Sequence, residues 1–328
     1  MLNKTIQVID KHIHSIHPKM KWMWGEALFG YALLLLDEYK QETKYKGFIE
    51  SYLDYYLKHV PKVNSSDTFA PILIIHTYKR LYNSDKYDTL YEACLTYFNE
   101  AKPIVDFLPN HLGTSFLGRF YPKSIWVDSI MMYGVFLSYY DKELAYNTLV
   151  KFREYLSEQG CYVHTYRPKS KKRFKEGIYW GRGNGWVITA LPMIIEKLDN
   201  QDHKEELTKM LQEAIHCVTK YQKNGTYQTV LNKKSYIETS ASLLINGGIM
   251  HAYQLGLVNK LYDSKEGFKR IINEYIKDDK LTKISHPTIP LHLFTTWHYK
   301  TLPTKSNWSY GLASLIFSSI AYDKIKAH

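Results

Sequence analysis

Cysteine is scarce in this chain of 328 residues: three, at positions 94, 161 and 217, scattered and without a Cys-x-x-Cys pair. An odd, dispersed set argues against a disulfide framework and against a structural zinc site. Long apolar runs are missing too. The longest, near Ala27–Leu36, falls well short of the roughly 20 residues that a membrane span needs. The opening segment, Met1 to Asp10, has neither an apolar core nor a small-residue cleavage site. These absences predict a cytoplasmic protein without membrane contact, whose substrate is imported or made inside the cell. No Pro/Ser-rich linker or low-complexity tract interrupts the chain, so a single domain over residues 1–328 is expected. Acid is the minority charge, with 32 Asp+Glu against 43 Lys+Arg and a net charge of +11. That favours an anionic partner, which on charge alone is nucleic acid, a membrane surface or a small acidic ligand.

What is present narrows the choice. Hydrophobic residues are 45% and charged residues 23%, enough for a globular core. The 29 Tyr and 7 Trp suit a partner that stacks on aromatic faces, as sugars do. Apolar residues recur at helical spacing along most of the chain. Candidate inner helices start near Trp24, Asp67, Asp128, Asn184, Thr239 and Trp308, at intervals of roughly 40–70 residues. Most intervals hold a second amphipathic run, such as Tyr45–His59, Lys86–Ala101, Ala145–Glu158, Lys204–Tyr221 and Ser264–Lys277. One helical hairpin per repeat cannot bury its own apolar face, so the hairpins must stack as an open solenoid or a closed ring. The chemistry-bearing residues fall at the starts of the inner set, and closure would gather those starts at one mouth. The expected fold is all-α, an (α/α)6 barrel, with short β-like pieces at Cys161–Tyr166 and Gly225–Leu231 in the connections.

Two clusters carry the chemistry. Tyr121-Pro122-Lys123-Ser124-Ile125-Trp126-Val127-Asp128 sets a carboxyl beside an indole at a helix start. Asp128 there is either a capping acid or a general acid whose pKa is raised by its apolar and indole neighbours. Asp67, in Asn64-Ser65-Ser66-Asp67, has the same two readings, and in a ring it would face Asp128 from the neighbouring inner helix. Such a pair separates the two pKa values and lets one member hold a proton. Trp180-Gly181-Arg182-Gly183-Asn184-Gly185-Trp186 puts a guanidinium between two indoles on alternating glycines. This is not a dinucleotide-binding Gly-x-Gly-x-x-Gly pattern. Either the glycines let the backbone approach a ligand and Arg182 clamps its carboxylate, or the segment is a tight packed turn with core indoles.

Both clusters resemble the signature motifs of the unsaturated glucuronyl and rhamnogalacturonyl hydrolases, glycoside hydrolase families 88 and 105. There Tyr-Pro is followed by Trp-x-Asp, and later by Trp-x-Arg-Gly-x-x-Trp. His164 stands where those families have a histidine after a short strand, and Asp67 at their first catalytic-region aspartate. Glu238-Thr239-Ser240-Ala241 is similar to a Glu-x-Ser entry to the fifth inner helix, and Asn307-Trp308-Ser309-Tyr310-Gly311 to a late Asn/Gly element. The resemblance implies removal of a 4,5-unsaturated uronic acid from the non-reducing end of a small anionic oligosaccharide, by hydration of the double bond and without metal or cofactor. Asp128 would be the acid and Asp67 its partner. Trp24, Tyr121, Trp126, His164, Trp180, Arg182 and Trp186 would bind the sugar. The rhamnogalacturonyl type is the nearer of the two. Rival readings are an epimerase or ordinary glycosidase on the same ring, or a carbohydrate-binding relative without activity.

The chain departs from the pattern at Trp22-Met23-Trp24-Gly25-Glu26, where a Tyr-Glu-x-Gly is common. It departs at Leu117-Gly118-Arg119-Phe120, where His-Lys often precedes Tyr-Pro, and at Trp308, where Asp-Pro-His often follows the asparagine. These places shape the sugar pocket and so bear on substrate identity rather than on reaction type. The run Arg167–Lys175 holds six cations in nine residues. It is either a solvated loop or a rim that draws anions in, and no nucleic-acid-binding module frames it. His12, His14 and His17 have no accompanying carboxylate motif, and positions 12 and 14 point to different faces of a helix, so no metal is expected. The sequence sets no oligomeric state.

Overall fold

Helix forms where apolar residues recur at helical spacing, and a side-chain cap marks the start of only some of the helices. In the computed structural model, which describes residues 1–16, 20–174, 177–291 and 294–326, α1 spans Leu2–Ile16, α2 Trp24–Lys40, α3 Lys46–Lys58, α4 Ser66–Phe69 and α5 Ile72–Tyr82. Then come α6 (Asp88–Glu100), α7 (Phe116–Phe120), α8 (Val135–Tyr140, entered by a π-helical turn at Ile130–Gly134) and α9 (Lys142–Leu156). The second half has α10 (Gly181–Ile195), α11 (Gln201–Thr219), α12 (Thr239–Gln254), α13 (Ser264–Glu274), α14 (Thr295–Thr301) and α15 (Ser309–Lys326). Asp141 caps α9 by accepting from the Leu144 N–H, and Asn200 caps α11 by accepting from Asp202 and His203. Pro71 cannot donate and separates α4 from α5 within one inner position of the ring.

The inner ring runs α2, α4–α5, the π turn with α8, α10, α12 and α15, and each packs on the next. Contact of α15 with α2 closes it, and α1 lies against α15, so the first helix of the chain completes the outer layer beside the last. This is the expected (α/α)6 barrel. Inner and outer helices differ as their positions require. In α10 every residue except Met193 is buried, whereas α11 buries a stripe through Leu207, Met210, Leu211, Ala214, Ile215 and Val218. The inner helices approach closely at glycine: a Cβ on Gly248 of α12 would lie 2.3 Å from the carbonyl oxygen of Ile188 in α10.

The cysteines correct an expectation. Cys161 and Cys217 form a disulfide between the short strand Cys161–Tyr162 and α11, and Cys94 is free and buried. The sequence signal was poor because the partners lie 56 residues apart, in different element types. Among the described residues no helix is long and apolar enough to cross a membrane.

Three histidines are half-buried without a positive role for their charge. Burial lowers His12, His76 and His251 to about 4 each, helped by nearby lysines or an arginine. His12 sits edge-on to Phe29, and His76 lies between Tyr91, Phe136 and Tyr139. The position of His17 lies outside the described residues. A folded pKa below the unfolded 6.5 means that the unfolded chain binds more protons as the pH drops between those values. Stability from these groups is therefore complete above pH 6.5 and is lost as pH falls towards about 4. We expect the melting temperature to fall steadily on acidification through this window. Each histidine contributes on the order of 1–3 kcal/mol. His76→Gln should flatten part of that slope, and an unchanged slope in thermal unfolding from pH 7 to 4.5 would count against the assignment.

Candidate active site

A cavity of about 520 Å³ opens where the inner helices begin. A second, of about 230 Å³, opens at their C-terminal ends. The second holds two carboxylates, Glu38 and Glu196, and Glu38 is tied to Arg80 by two hydrogen bonds of 2.6 and 2.8 Å. The first holds Glu26, Asp67 and Asp128 together with a wall of indoles. The first gathers the larger set of acidic groups.

Asp128 is placed by strand pairing. Ile125–Trp126 lies antiparallel to Thr165–Arg167, with Trp126 opposite Thr165, and the Val127 N–H donates to the His164 carbonyl at 3.0 Å. That register sets the Asp128 and His164 side chains next to each other. His164 Nε2 lies at an ion-pair distance of 3.3 Å from Asp128 Oδ2, and neither atom is in hydrogen-bonding geometry with any partner. Asp128 does not cap the π turn, so its side chain is free of that structural duty. His164 Nδ1 lies 2.6 Å from the Tyr299 hydroxyl, which burial keeps protonated. The Asp128 carboxylate facing Nε2 favours the tautomer that carries the His164 proton there, and in that tautomer Tyr299 donates to Nδ1.

The expected upward shift of the Asp128 pKa is corrected. Burial pushes it up, but the hydrogen bond and charge of His164, with His111 and Arg182 behind, hold it below the ordinary carboxylate value. Burial lowers His164 in turn, against the pull of Asp128.

Asp67 has a matching arrangement. Ser65, not Asp67, caps α4 through a reciprocal pair with Thr68, and so Asp67 points into the cavity. Its Oδ1 lies 3.5 Å from Nε2 of His111. His111 Nδ1 in turn lies 2.9 Å from the hydroxyl of Ser129, the residue after Asp128. The His111 ring stacks on Trp126 with centroids 4.4 Å apart and planes 8° off parallel, and Trp126 Nε1 donates to Ser124 at 2.8 Å. Across the cavity, Trp24 stacks on Tyr310 at 4.7 Å, and Tyr310 on Trp308 at 5.7 Å. This is a continuous aromatic wall. Trp180 lines the cavity and stacks against the His164 ring at 4.2 Å.

Of the residues expected from the sequence, Trp24, Asp67, Trp126, Asp128 and Trp180 line this cavity, with His164 directly behind Asp128. Besides His164, three more do not line it among the described residues. Trp186 is buried behind Trp24, edge to face at 6.3 Å. Tyr121 packs beside Trp126 and donates to the Pro290 carbonyl at 2.6 Å. Arg182 is fully buried, and four of its five N–H donors are committed: NH1 to the Ser285 carbonyl and hydroxyl, NH2 to the His286 carbonyl and the Thr288 hydroxyl. It cannot also grip a ligand with a pair of hydrogen bonds, because its fork already grips the 285–288 segment. The glycines around it serve the protein rather than a ligand. A Cβ on Gly181 would lie 2.3 Å from the Gln228 carbonyl, and one on Gly183 2.6 Å from the Trp180 ring.

The basic run is a hairpin, with Thr165–Arg167 paired to Lys172–Phe174. Arg173 donates to the carbonyls of Glu154 and Tyr155 in the last turn of α9, and Arg167 donates to the Tyr121 hydroxyl at 3.0 Å. None of its described residues lines the cavity. Lys175 lies outside the described residues. Reading the sequence missed His111, Tyr299 and Lys305. They sit in irregular segments or short elements whose local pattern carries no chemical signal.

The reading of Arg182 as a strut has a direct test. Arg182→Lys keeps a charge but loses the fork. It should lower stability by about 3 kcal/mol or more, seen as a drop in melting temperature, because Glu238 and the 285–288 carbonyls lose buried partners. A raised KM at unchanged melting temperature would instead make Arg182 a ligand clamp.

Comparison with known proteins shows the family and the fold. The chain matches the family model described as Glycosyl Hydrolase Family 88 over residues 1–326. It is 20% identical over 349 aligned positions to the unsaturated rhamnogalacturonyl hydrolase YesR of Bacillus subtilis (strain 168), covering 98% of this chain and 96% of that protein. Among solved structures, a C. acetobutylicum ATCC 824 glycoside hydrolase from family 105 superposes with a TM-score of 0.84 at 21% identity, over 97% of this chain and 99% of the other. The unsaturated glucuronyl hydrolase of Bacillus sp. GL1 superposes with a TM-score of 0.68 at 13% identity, over 96% and 94% of the two chains.

Proposed function

The chain belongs to Glycosyl Hydrolase Family 88 and is a glycoside hydrolase, and we propose that its reaction is hydration of a 4,5-unsaturated uronic acid at the non-reducing end of a small oligosaccharide. One observation carries this reading. A buried carboxyl, Asp128, faces a substrate-sized cavity with a histidine N–H at 3.3 Å and no capping duty.

The sugar ring lies along the wall formed by Trp24, Tyr310 and Trp308, with C4 towards Asp128. Asp128 gives its proton to C4 of the C4=C5 bond, and positive charge develops at C5, shared with the ring oxygen. Asp128, now a carboxylate, takes a proton from a water that adds to C5. The product is a hemiketal. It opens to a C5 ketone, and the C1 hemiacetal that results releases the remaining sugar. The glycosidic carbon is never attacked, so the usual spacing rule for paired carboxylates does not apply.

For this, Asp128 must be protonated when substrate is bound. In the free site its neighbours hold it low. A bound uronate adds a negative charge to the cavity, which raises a neighbouring carboxyl, and desolvation by the sugar works in the same direction. Proton uptake then accompanies binding. His164 positions Asp128 and stabilises the carboxylate left after proton transfer. Asp67, held by His111, serves as acceptor for sugar hydroxyls. An epimerase with two working histidines fits less well, since both His111 and His164 are turned towards carboxylates. As to compartment, the Cys161–Cys217 bridge supports an oxidising environment and weighs against the cytoplasm expected from the sequence.

Incubation with a panel of unsaturated disaccharides tests the reaction, through loss of the ultraviolet absorbance of the conjugated double bond. Asp128→Asn should lower kcat by roughly 10²–10⁴-fold while KM changes little. The melting temperature should stay near that of the parent, because the side chain caps nothing. Near-normal turnover by this variant would end the proposed mechanism.

A further inference from the structure

A uronate needs a cation, and the guanidinium that the sequence offered is committed elsewhere. Three carboxyl side chains line the cavity against two cations, Lys21 and Lys305. The charge of Lys21 bears on Glu26, whose carboxyl also meets the Ser309 hydroxyl. Lys305 is different. Among the described residues no carboxylate lies within ion-pair distance of it. Its ammonium instead stands 4.9 Å from the centre of the Trp308 ring.

Trp308 supplies a second, independent sign of a missing ligand. Its ring lines the cavity, and its indole N–H is buried without an acceptor. A buried donor left unsatisfied keeps its desolvation cost, which a ligand oxygen would recover. A cation without an acid and an N–H without an acceptor, side by side, are what a carboxylate completes.

The backbone explains how this corner is held. Thr304–Lys305 pairs with Ile284–Ser285, Lys305 opposite Ile284 and Thr304 opposite Ser285. Ser285 is where NH1 of Arg182 ends. The arginine therefore acts on the ligand at one remove, by fixing the strand next to the one that carries Lys305.

We propose that Lys305 and the indole N–H of Trp308 form the carboxylate-binding corner of this cavity and select uronates over neutral sugars. The inference rests on the proposed reaction for the identity of the sugar. In that reaction the carboxylate is attached to C5, so the corner supplies binding next to the reacting bond, felt alike by the bound substrate and the transition state.

The test uses Lys305→Met, Lys305→Arg and Trp308→Phe in the full chain. With an unsaturated disaccharide, Lys305→Met should raise KM about tenfold or more and leave kcat within a few-fold. Its KM for the methyl ester of the same substrate should not move. Lys305→Arg should keep most of the affinity, and Trp308→Phe should show a smaller rise than Lys305→Met. An unchanged KM in Lys305→Met, or an equal rise with the ester, overturns the proposal. Calorimetric titration with glucuronate and with glucose separates this outcome from a failure of the reaction itself. If the wild-type protein turns over none of the disaccharides, the reaction is wrong. The corner still stands if glucuronate binds more tightly than glucose and Lys305→Met abolishes the difference. It falls if wild type binds both alike.

Discussion

A guanidinium with no exposed surface holds the mouth of this barrel. Arg182 lies between the faces of Trp180 and Tyr310, 4.9 and 4.6 Å from their centres, with Glu238 at 3.8 Å. Glu238 caps α12 through the Ala241 N–H and accepts the Ser285 N–H at 2.9 Å. Tyr310, in the first turn of α15, donates to the Ser285 carbonyl. Three inner helices and one strand therefore share a single network. Removing two such charges from water costs several kcal/mol for each, and the cost is offset only because almost every donor and acceptor is met. The return is placement. The aromatic wall of the cavity and the strand beside Lys305 are both set by a residue that touches neither the cavity nor the solvent.

The two carboxyl–histidine pairs show how burial makes different groups from the same parts. The Asp128 side chain is 8% exposed and that of Asp67 19%. The deeper one feels three nearby positive or protonatable groups and competes with its own desolvation. The shallower one keeps water contact and suits hydrogen bonding to hydroxyls. His111 touches both arrangements, Asp67 directly and Asp128 through Ser129.

The helix starts were legible in the sequence because local chemistry sets them. Ser65 with Thr68, and Glu238 with Ala241, are capping signals within a few residues. The other inner helices also begin close to the expected positions, although α2, the π turn and α10 have no side-chain cap. The role of Arg182 was not legible, because its partners Ser285, His286 and Thr288 are more than a hundred positions away, and a polar side chain between two indoles reads alike as clamp or strut. His111 and Tyr299 were missed for a related reason. Each matters through one contact across the fold, at Asp67 and at His164, and neither belongs to a periodic segment. The alternating glycines misled in a third way. Close approach was correctly inferred, but the approaching atoms belong to Gln228, Val127 and Leu244.

Closure of the ring by α2 against α15 has a consequence for how this molecule comes into being. The cavity draws on Lys21 and Trp24 near the start of the chain and on Trp308 and Tyr310 near its end. No nascent fragment, however well its hairpins have formed, contains the wall that faces Asp128. The loop that must close runs from α2 to α15, and its entropy is recovered only when those two helices dock. Competence therefore arrives in one step at the end of assembly, and opening of the α2–α15 seam would silence the protein while most of its helices remain intact.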